Sequence, residues 1–266
     1  MSLSEVAAVE PNPSIQISQR GAVGVVTLNR PARFNAITIP MMRRLYAALD
    51  ELDGDDRIGC VILTADGRGF CAGQDLNVLH QFYGSHDPSE LGDILRREYN
   101  PVIERIAAMR CPVIAAVQGV AAGAGWSLAL ACDLRIAGQS ATFVPGFAKL
   151  GLAPDLGGSS SLVESIGLAR AMEFALLTDR MSAADAERIG LINRVVPDDQ
   201  LQSTAMQWAE RIAAIPREAV RLTKRGMRTE AALAAGGRLA DEANDQAICA
   251  SQPAHRDAVA SFVGKS

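Results

Sequence analysis

Along this chain the spacing of apolar and polar positions changes several times, and each change marks a new element. Residues 15–18 and Val23–Leu28 alternate or run apolar on either side of Gln19-Arg20-Gly21, which predicts two strands joined by a tight turn. Thr38 then precedes Pro40, a helix cap followed by a first-turn proline. Met42, Leu45, Leu49 and Leu52 recur at helical spacing up to about residue 52, where Gly54-Asp55-Asp56 breaks the pattern. A run of strand length follows at 60–64. The alternation continues with helix 91–109 before strand Val113–Val117, and helix 125–131 before strand 134–137. This order predicts an α/β protein with right-handed crossovers. Gly84-Ser85-His86-Asp87-Pro88-Ser89 reads as a polar, mobile loop ahead of the first long helix.

Past Asp155 the strand signals fade. Residues 160–166, 169–177, 182–190, 199–215 and most of 218–262 read as helices. Ser182 with Asp185 is a weak capping signal, and Gly190 closes that helix. Leu201, Ala205, Trp208, Ala209 and Ile212 form one apolar face. No internal sequence repeat is visible.

Composition narrows the class. With 266 residues, 48% of them hydrophobic, the chain can bury a full core as one large domain or two smaller ones. A net charge of −4, no basic cluster and only 5% aromatic residues argue against nucleic acid as a partner. The five cysteines include no C-x-x-C pair, and His80, His86 and His255 stand apart. Reduced thiols and no metal site are the expectation. Residues 1–13 lack the basic and apolar regions of a signal peptide, and no stretch approaches the roughly 18 apolar residues of a membrane span. A soluble, cytoplasmic protein with no membrane partner is therefore expected.

Two small-residue turns carry the chemical signal: Phe70-Cys71-Ala72-Gly73-Gln74-Asp75-Leu76, and Gln118-Gly119-Val120-Ala121-Ala122-Gly123-Ala124-Gly125-Trp126. Their glycine spacing fits neither a dinucleotide fingerprint nor a phosphate loop. Each follows a strand-like run, and the second opens a helix, whose first N–H groups have no partner inside it. A second free N–H from the 72–75 turn completes a pair able to hold one oxygen. Such a pair stabilises a developing enolate or tetrahedral oxyanion, each buried donor contributing about 3–4 kcal/mol. The competing reading is that these glycines only permit tight turns.

In these stretches the chain resembles the crotonase superfamily, the enoyl-CoA hydratase/isomerase group. The likeness also takes in Asn29-Arg30-Pro31 with Asn35-Ala36-Ile37, Cys132-Asp133-Leu134-Arg135-Ile136-Ala137, and Lys149-Leu150-Gly151-Leu152-Ala153-Pro154-Asp155-Leu156-Gly157-Gly158, and runs from about residue 15 to the end. The resemblance implies a ββα spiral core over residues 1–198 that carries an acyl-CoA site. It implies a helical C-terminal region over 199–266 that assembles trimers or hexamers. It assigns the oxyanion donors to the N–H groups of Ala72 and Ala124. It places the acyl-CoA substrate against Arg33, Phe34, Ala36, Gly73, Gln74, Asp75, Leu76, Gly123, Trp126 and Phe147, with coenzyme A entering as part of the substrate and no separate cofactor. Phe262 and Lys265 match positions that reach a neighbouring subunit's coenzyme A. Cys71 falls at a variable packing position.

The acids depart from the hydratase pattern. The two positions that hold glutamates in the family's hydratases are occupied here by Ser127 and Phe147. Asp155 stands where isomerase branches, including ring-opening epoxide isomerases and dienoyl-CoA isomerases, carry an aspartate. One carboxylate can take a proton from one carbon and return it at another, provided burial beside apolar groups such as Phe147, Leu152 and Trp126 raises its pKa from about 3.9. The alternative is that Asp155 caps the following helix. Asp133 reads as a structural hydrogen-bonding group, Asp75 as an organiser of its loop, and Glu98 and Asp93 as pocket-bordering or solvated. His80 could approach the pocket, while His86 and His255 read as surface residues. A double-bond isomerase is the leading expectation. The alternatives are a hydratase of fatty-acid or aromatic-acid breakdown, a hydrolytic or dehalogenating enzyme in which Asp155 attacks the substrate, and a catalytically silent CoA-ester-binding scaffold.

Overall fold

The computed structural model describes residues 13–83, 87, 90–177 and 179–264, with side chains outside 229–238. Strands β1 (Ile15–Arg20) and β2 (Val23–Leu28) form the opening hairpin, and helix α1 (Ile39–Gly54) follows. Thr38 Oγ1 accepts the Met41 N–H and so caps α1 as its position predicts. Strands β3 (Cys60–Ala65) and β4 (Gly69–Cys71) lead to helices α2 (Leu76–Tyr83), α3 (Leu91–Ile94) and α4 (Asn100–Ala108). Next come β5 (Val113–Val117), β6 (Val120–Ala122) and α5 (Ala124–Ala131), then β7 (Leu134–Gly138), β8 (Thr142–Val144), α6 (Gly158–Ile166) and α7 (Leu168–Leu177). Strand β9 (Met181–Ser182), helix α8 (Ala183–Arg188) and strand β10 (Arg194–Val196) complete the sheets. Helices α9 (Leu201–Ala213), α10 (Arg217–Ser251) and α11 (Pro253–Val263) end the chain.

Two sheets result, in the orders β1-β2-β3-β5-β7-β10 and β4-β6-β8-β9. Apart from the β1-β2 and β8-β9 pairs, neighbours run parallel. Each turn of the chain sends one strand to each sheet before a helix returns it: β3 then β4, β5 then β6, β7 then β8. This is the ββα spiral, the crotonase-like α/β fold with a helical C-terminal region. The strands β3 and β5 are buried along their whole length because both faces are covered. Val61, Leu63, Val113 and Ala115 face the main core, whereas Cys60, Ile62, Ile114 and Ala116 meet Leu201, Ala205 and Ala209 of α9. The period of two explains the split.

The expected helix 91–109 is divided by a wider π-helical turn at Leu95–Tyr99, where the Asn100 N–H reaches the Leu95 carbonyl. Pro101 has no N–H to offer the preceding turn, so a regular α-helix cannot run through it. Residues 1–12, His86, Lys265 and most of the expected 84–89 loop lie outside the described residues.

Candidate active site

The first wall of the site is built around Asn35. Its buried side chain accepts the Arg30 N–H at 2.7 Å and donates to the carbonyls of Asp66 and Gly69 at 2.9 and 2.8 Å. Phe34 and Asn35 both adopt positive φ (48° and 56°) to make this knot. The knot lays residues 34–37 beside 72–75. Ile37 N–H donates to the Gly73 carbonyl at 2.7 Å, and Asp75 N–H to the Ile37 carbonyl at 3.0 Å. The Arg30 guanidinium reaches the Ala36 carbonyl and pairs with Asp75 at 3.2 Å. Asp75 Oδ1 accepts the N–H groups of Asn77 and Val78, so it orders the start of α2, a helix that the sequence reading did not predict.

This arrangement corrects one donor. The Ala72 N–H already donates to the Phe34 carbonyl at 2.9 Å and is not available to a substrate oxygen. In the parallel bridge between Ile37 and Gln74, the hydrogen bonds run to Gly73 and Asp75, the residues flanking Gln74. The Gln74 N–H therefore points to the opposite side, and no backbone acceptor takes it among the described residues. A motif count alone could not separate positions 72 and 74, since only the pairing with 34–37 decides which amide is left without a backbone acceptor.

The second turn lies against that opposite side. A Cβ at Gly73 (φ 85°) would sit 2.7 Å from the Ala122 carbonyl oxygen and 3.3 Å from the Ala124 nitrogen. A Cβ at Gly125 would sit 2.1 Å from the Cys71 carbonyl oxygen. Glycine at both positions is what lets the turns touch. Gly123 (φ 49°) ends the approach, and Ala124 is the first residue of α5, with no backbone acceptor for its N–H among the described residues. The Phe147 ring reaches Gly123 and stands edge-on to Trp126 at 5.8 Å. Trp126 itself is buried, donating Nε1–H to the Pro145 carbonyl and packing on Phe174, so it braces the turn from behind.

Asp155 occupies the turn before α6 and is buried. It does not cap that helix with its side chain. The cap comes from Glu242 of α10, whose Oε2 accepts the Gly157 N–H at 2.7 Å and whose Oε1 accepts the Ser159 N–H at 3.0 Å and the Ser159 hydroxyl. Asp155 Oδ2 accepts one hydrogen bond from Gln246 Nε2 at 3.1 Å, and Oδ1 has no partner. Burial, with the Glu242 carboxylate close by, pushes the Asp155 carboxyl up to about 8. Burial likewise raises Glu242. Tyr99, from the π-helical turn, donates its hydroxyl to Gln74 Oε1 at 2.5 Å. Its phenol feels the Asp155 charge, and burial holds it protonated well above its ordinary range. Tyr99, Glu242 and Gln246 were not legible as site residues, because nothing local in their segments marks them.

The remaining positions sort by surroundings. Ser127 Oγ is buried without a partner, close under Gly158. Arg33 and Phe34 are exposed, with the Arg68 guanidinium 5.4 Å above the Phe34 ring, while Ala36 is buried and Leu76 half-buried. Glu98 is held in a two-pronged pair with Arg43, and Asp93 pairs with Arg96, so both belong to the charged surface. His80 is exposed. His255 is not a surface residue: it is fully buried, meeting the Tyr83 hydroxyl at 2.8 Å and the Leu150 carbonyl, and so docks α11 onto α2. Asp133 accepts the Val113 N–H and pairs with Lys224 and Arg228 of α10 at 2.9 and 2.8 Å, a structural role. Burial pushes the Cys71 thiol up to about 12, so it carries no thiolate for nucleophilic attack at neutral pH. Among the described residues no group of three His, Cys, Asp or Glu side chains is placed to hold a metal ion, and no helix is long and apolar enough to cross a membrane.

Sequence and structure comparisons show what the chain as a whole is similar to. A profile of the family described as "Enoyl-CoA hydratase/isomerase" matches residues 18–266. A 1,2-epoxyphenylacetyl-CoA isomerase of Escherichia coli (strain K12) is 42% identical over 91% of this chain and 92% of its own length. A probable enoyl-CoA hydratase of Rhodobacter capsulatus is 38% identical over the same shares. Among solved structures, an enoyl-CoA hydratase from Mycobacterium avium subsp. paratuberculosis is similar with a TM-score of 0.84 at 31% identity, over 95% of this chain and 100% of that one. A monofunctional enoyl CoA isomerase from M. smegmatis gives 0.69 at 38% identity, over 82% and 94%.

Proposed function

The chain belongs to the enoyl-CoA hydratase/isomerase family, and within it we propose an acyl-CoA thioester enzyme that moves a double bond, with Asp155 carrying the proton. One observation bears most of the weight: Asp155 is a buried carboxyl with one oxygen free of any partner and an acidity tuned to near neutrality. The thioester carbonyl oxygen takes the N–H groups of Ala124 and Gln74, replacing the Ala72 donor expected from the motif. Negative charge that develops on that oxygen as a proton leaves the adjacent carbon is met by two fixed dipoles at the mouth of α5. Asp155 removes the proton from the γ or α carbon and returns it at the other, so the double bond shifts and the carboxylate is regenerated. No co-reactant is needed. Gly73, Gly123 and Phe147 shape the acyl pocket, with Trp126 behind them, and Arg33, Phe34, Ala36, Asp75 and Leu76 border the coenzyme A portion.

Hydration is the second reading, favoured by the names of several relatives, such as the Rhodobacter capsulatus protein. It asks for one group to activate water and another to protonate carbon. Ser127 and Phe147 supply neither, and both Glu242 oxygens are engaged at the start of α6. Hydration here would have to use Asp155 for both steps. Purified protein given crotonyl-CoA and a 3-enoyl-CoA, with absorbance and products followed, separates the readings: isomerisation is expected to exceed hydration, and vigorous crotonyl-CoA hydration would overturn the preference. If neither substrate turns over but both bind, the silent-scaffold reading stands. A covalent acyl adduct on Asp155 would point to the attacking role instead.

Assembly through the helical region as a trimer or hexamer is part of the same proposal. Leu168, Met172 and Leu176 of α7 form an exposed apolar stripe at helical spacing that suits such burial. Mass photometry reads the state directly.

A further inference from the structure

Helix α10 turns one face toward the 153–159 turn. Leu239, Glu242, Ala243, Gln246 and Ala250 are buried at spacings of three, one, three and four, so they form a single stripe. The helix is held close: a Cβ at Gly92 would lie 2.4 Å from the Ala243 carbonyl oxygen, and Asn100 Nδ2 donates to the Leu239 carbonyl. From that stripe two polar side chains reach the turn. Glu242 takes the N–H groups of Gly157 and Ser159. Gln246, one helical turn on, donates Nε2 to the Ala153 carbonyl at 2.9 Å and to Asp155 Oδ2 at 3.1 Å.

The turn needs such a hold. Leu156 sits at φ 56° and Gly157 at φ 73°, and a leucine in the left-handed region is strained because its Cβ crowds the backbone. Without Glu242 the N–H groups at the start of α6 would lack their acceptor, and the nearest carboxylate in sequence is Asp155. Asp155 would then be drawn into the cap that its sequence position suggests. By occupying those donors, Glu242 releases Asp155 from that role. Gln246 ties down one Asp155 oxygen and leaves Oδ1 unpaired.

We propose that Glu242 and Gln246 are positioning residues for proton transfer: the C-terminal helix uses Glu242 to occupy the N–H groups at the start of α6 and Gln246 to hold one Asp155 oxygen, so that the other stays free. This rests on the reading of Asp155 as the proton carrier. The groups facing Asp155 are Glu242 and Gln246 from α10 and the neutral phenol of Tyr99 from the π-helical turn. Glu242 is the charge that acts on it. A negative neighbour disfavours the carboxylate, and a donated hydrogen bond favours it.

The test is the pH dependence of kcat/KM for 3-enoyl-CoA isomerisation in wild type, Glu242→Gln and Gln246→Leu. Glu242→Gln removes the like charge, so the ionisation that switches activity on should move to lower pH by about one unit. Gln246→Leu removes the donor, so the same ionisation should move to higher pH. A purely structural role would lower Tm without displacing either profile. Profiles that both stay at the wild-type position, or that both move the same way, would overturn the proposal. If Glu242→Gln does not fold, Gln246→Leu alone decides, because an unchanged or lowered ionisation contradicts it. Asp155→Asn is run beside them: full activity there removes the proton carrier itself, whereas inactive Asp155→Asn with unmoved profiles refutes only the positioning role.

Discussion

Asp155→Asn tests both the electrostatics of the site and its chemistry. Unfolded, this carboxyl titrates near its ordinary 3.8, while in the fold it keeps its proton to about pH 8. Between those values the folded protein binds more protons than the unfolded chain, so stability falls as pH rises. The loss is absent below about pH 4 and complete above about pH 8. Each unit of separation is worth about 1.4 kcal/mol, so the wild type should lose about 4 kcal/mol from this group between pH 5 and pH 9. Asparagine has no charge to bury. Its carbonyl still accepts from Gln246, and its amide fills the place of the protonated oxygen. The variant should therefore gain on wild type by several kcal/mol as pH goes from 5 to 9, read by urea denaturation at both values. Turnover of 3-enoyl-CoA should fall at least about 10²-fold, and exchange of the α- or γ-proton with deuterated solvent should fall with it. In the wild type, activity should rise with pH through an ionisation near 8, because the base must be unprotonated. A stability gap that does not change with pH would refute the raised acidity. A fully active variant would leave the isomerase reading without its base.

Three further substitutions probe the frame. Ala124→Pro sits at the first position of α5, where a helix tolerates proline, and removes one oxyanion donor; turnover should drop by about 10² or more while CoA-ester binding and Tm persist. Gly73→Ala puts a methyl group 2.7 Å from the Ala122 carbonyl oxygen at φ 85°, so urea denaturation should show a loss of about 1–3 kcal/mol, with turnover reduced as the two turns part. Asp133→Asn leaves Lys224 buried without its carboxylate and should cost about 3 kcal/mol of stability, yet the pH profile of turnover should stay where it is.

Several local signals, one of them weak, read correctly from the sequence. Thr38 caps α1, Ser182 accepts the Asp185 N–H at the start of α8, and the apolar face of Leu201, Ala205 and Ala209 does cover a sheet. The short strands β4, β6, β8, β9 and β10 left no readable trace, since two or three residues are too few to show a period and their pairing is set by other turns of the spiral. Helix α2 was hidden for a different reason: its start depends on Asp75, whose orientation is fixed by Arg30, 45 positions earlier. In the candidate site, Asp155 and Ala124 could be singled out because each sits in a local motif. The choice between Ala72 and Gln74 was not local, because it turns on which side of the chain pairs with Ile37. Glu242 and Gln246 lie some 90 residues from the turn they hold, and Asn244 and Asp245 beside them are just as polar. Only the packing of α10 picks them out. His255 misled for the same reason: a histidine in a polar C-terminal segment has nothing in its neighbours to announce the Tyr83 hydroxyl.

With Ser127 and Phe147 where the resemblance leads one to expect glutamates, Asp155 faces a physical problem as a base, because an aspartate of ordinary acidity is too weak to take a proton from carbon near neutral pH. Burying it corrects the acidity but leaves polar atoms without water. The structure shows where that cost falls. Among the described residues, five buried side-chain polar atoms lack a partner, and three of them, Ser127 Oγ, Asp155 Oδ1 and Gln246 Oε1, lie around the 155–158 turn. Each unmet group costs about 1–3 kcal/mol, and Leu156 adds backbone strain at the same place. A stretch serving only as a helix start would have no reason to concentrate these penalties. Their concentration where Glu242 and Gln246 of the C-terminal helix hold the turn is what the proposal of Asp155 as proton carrier accounts for.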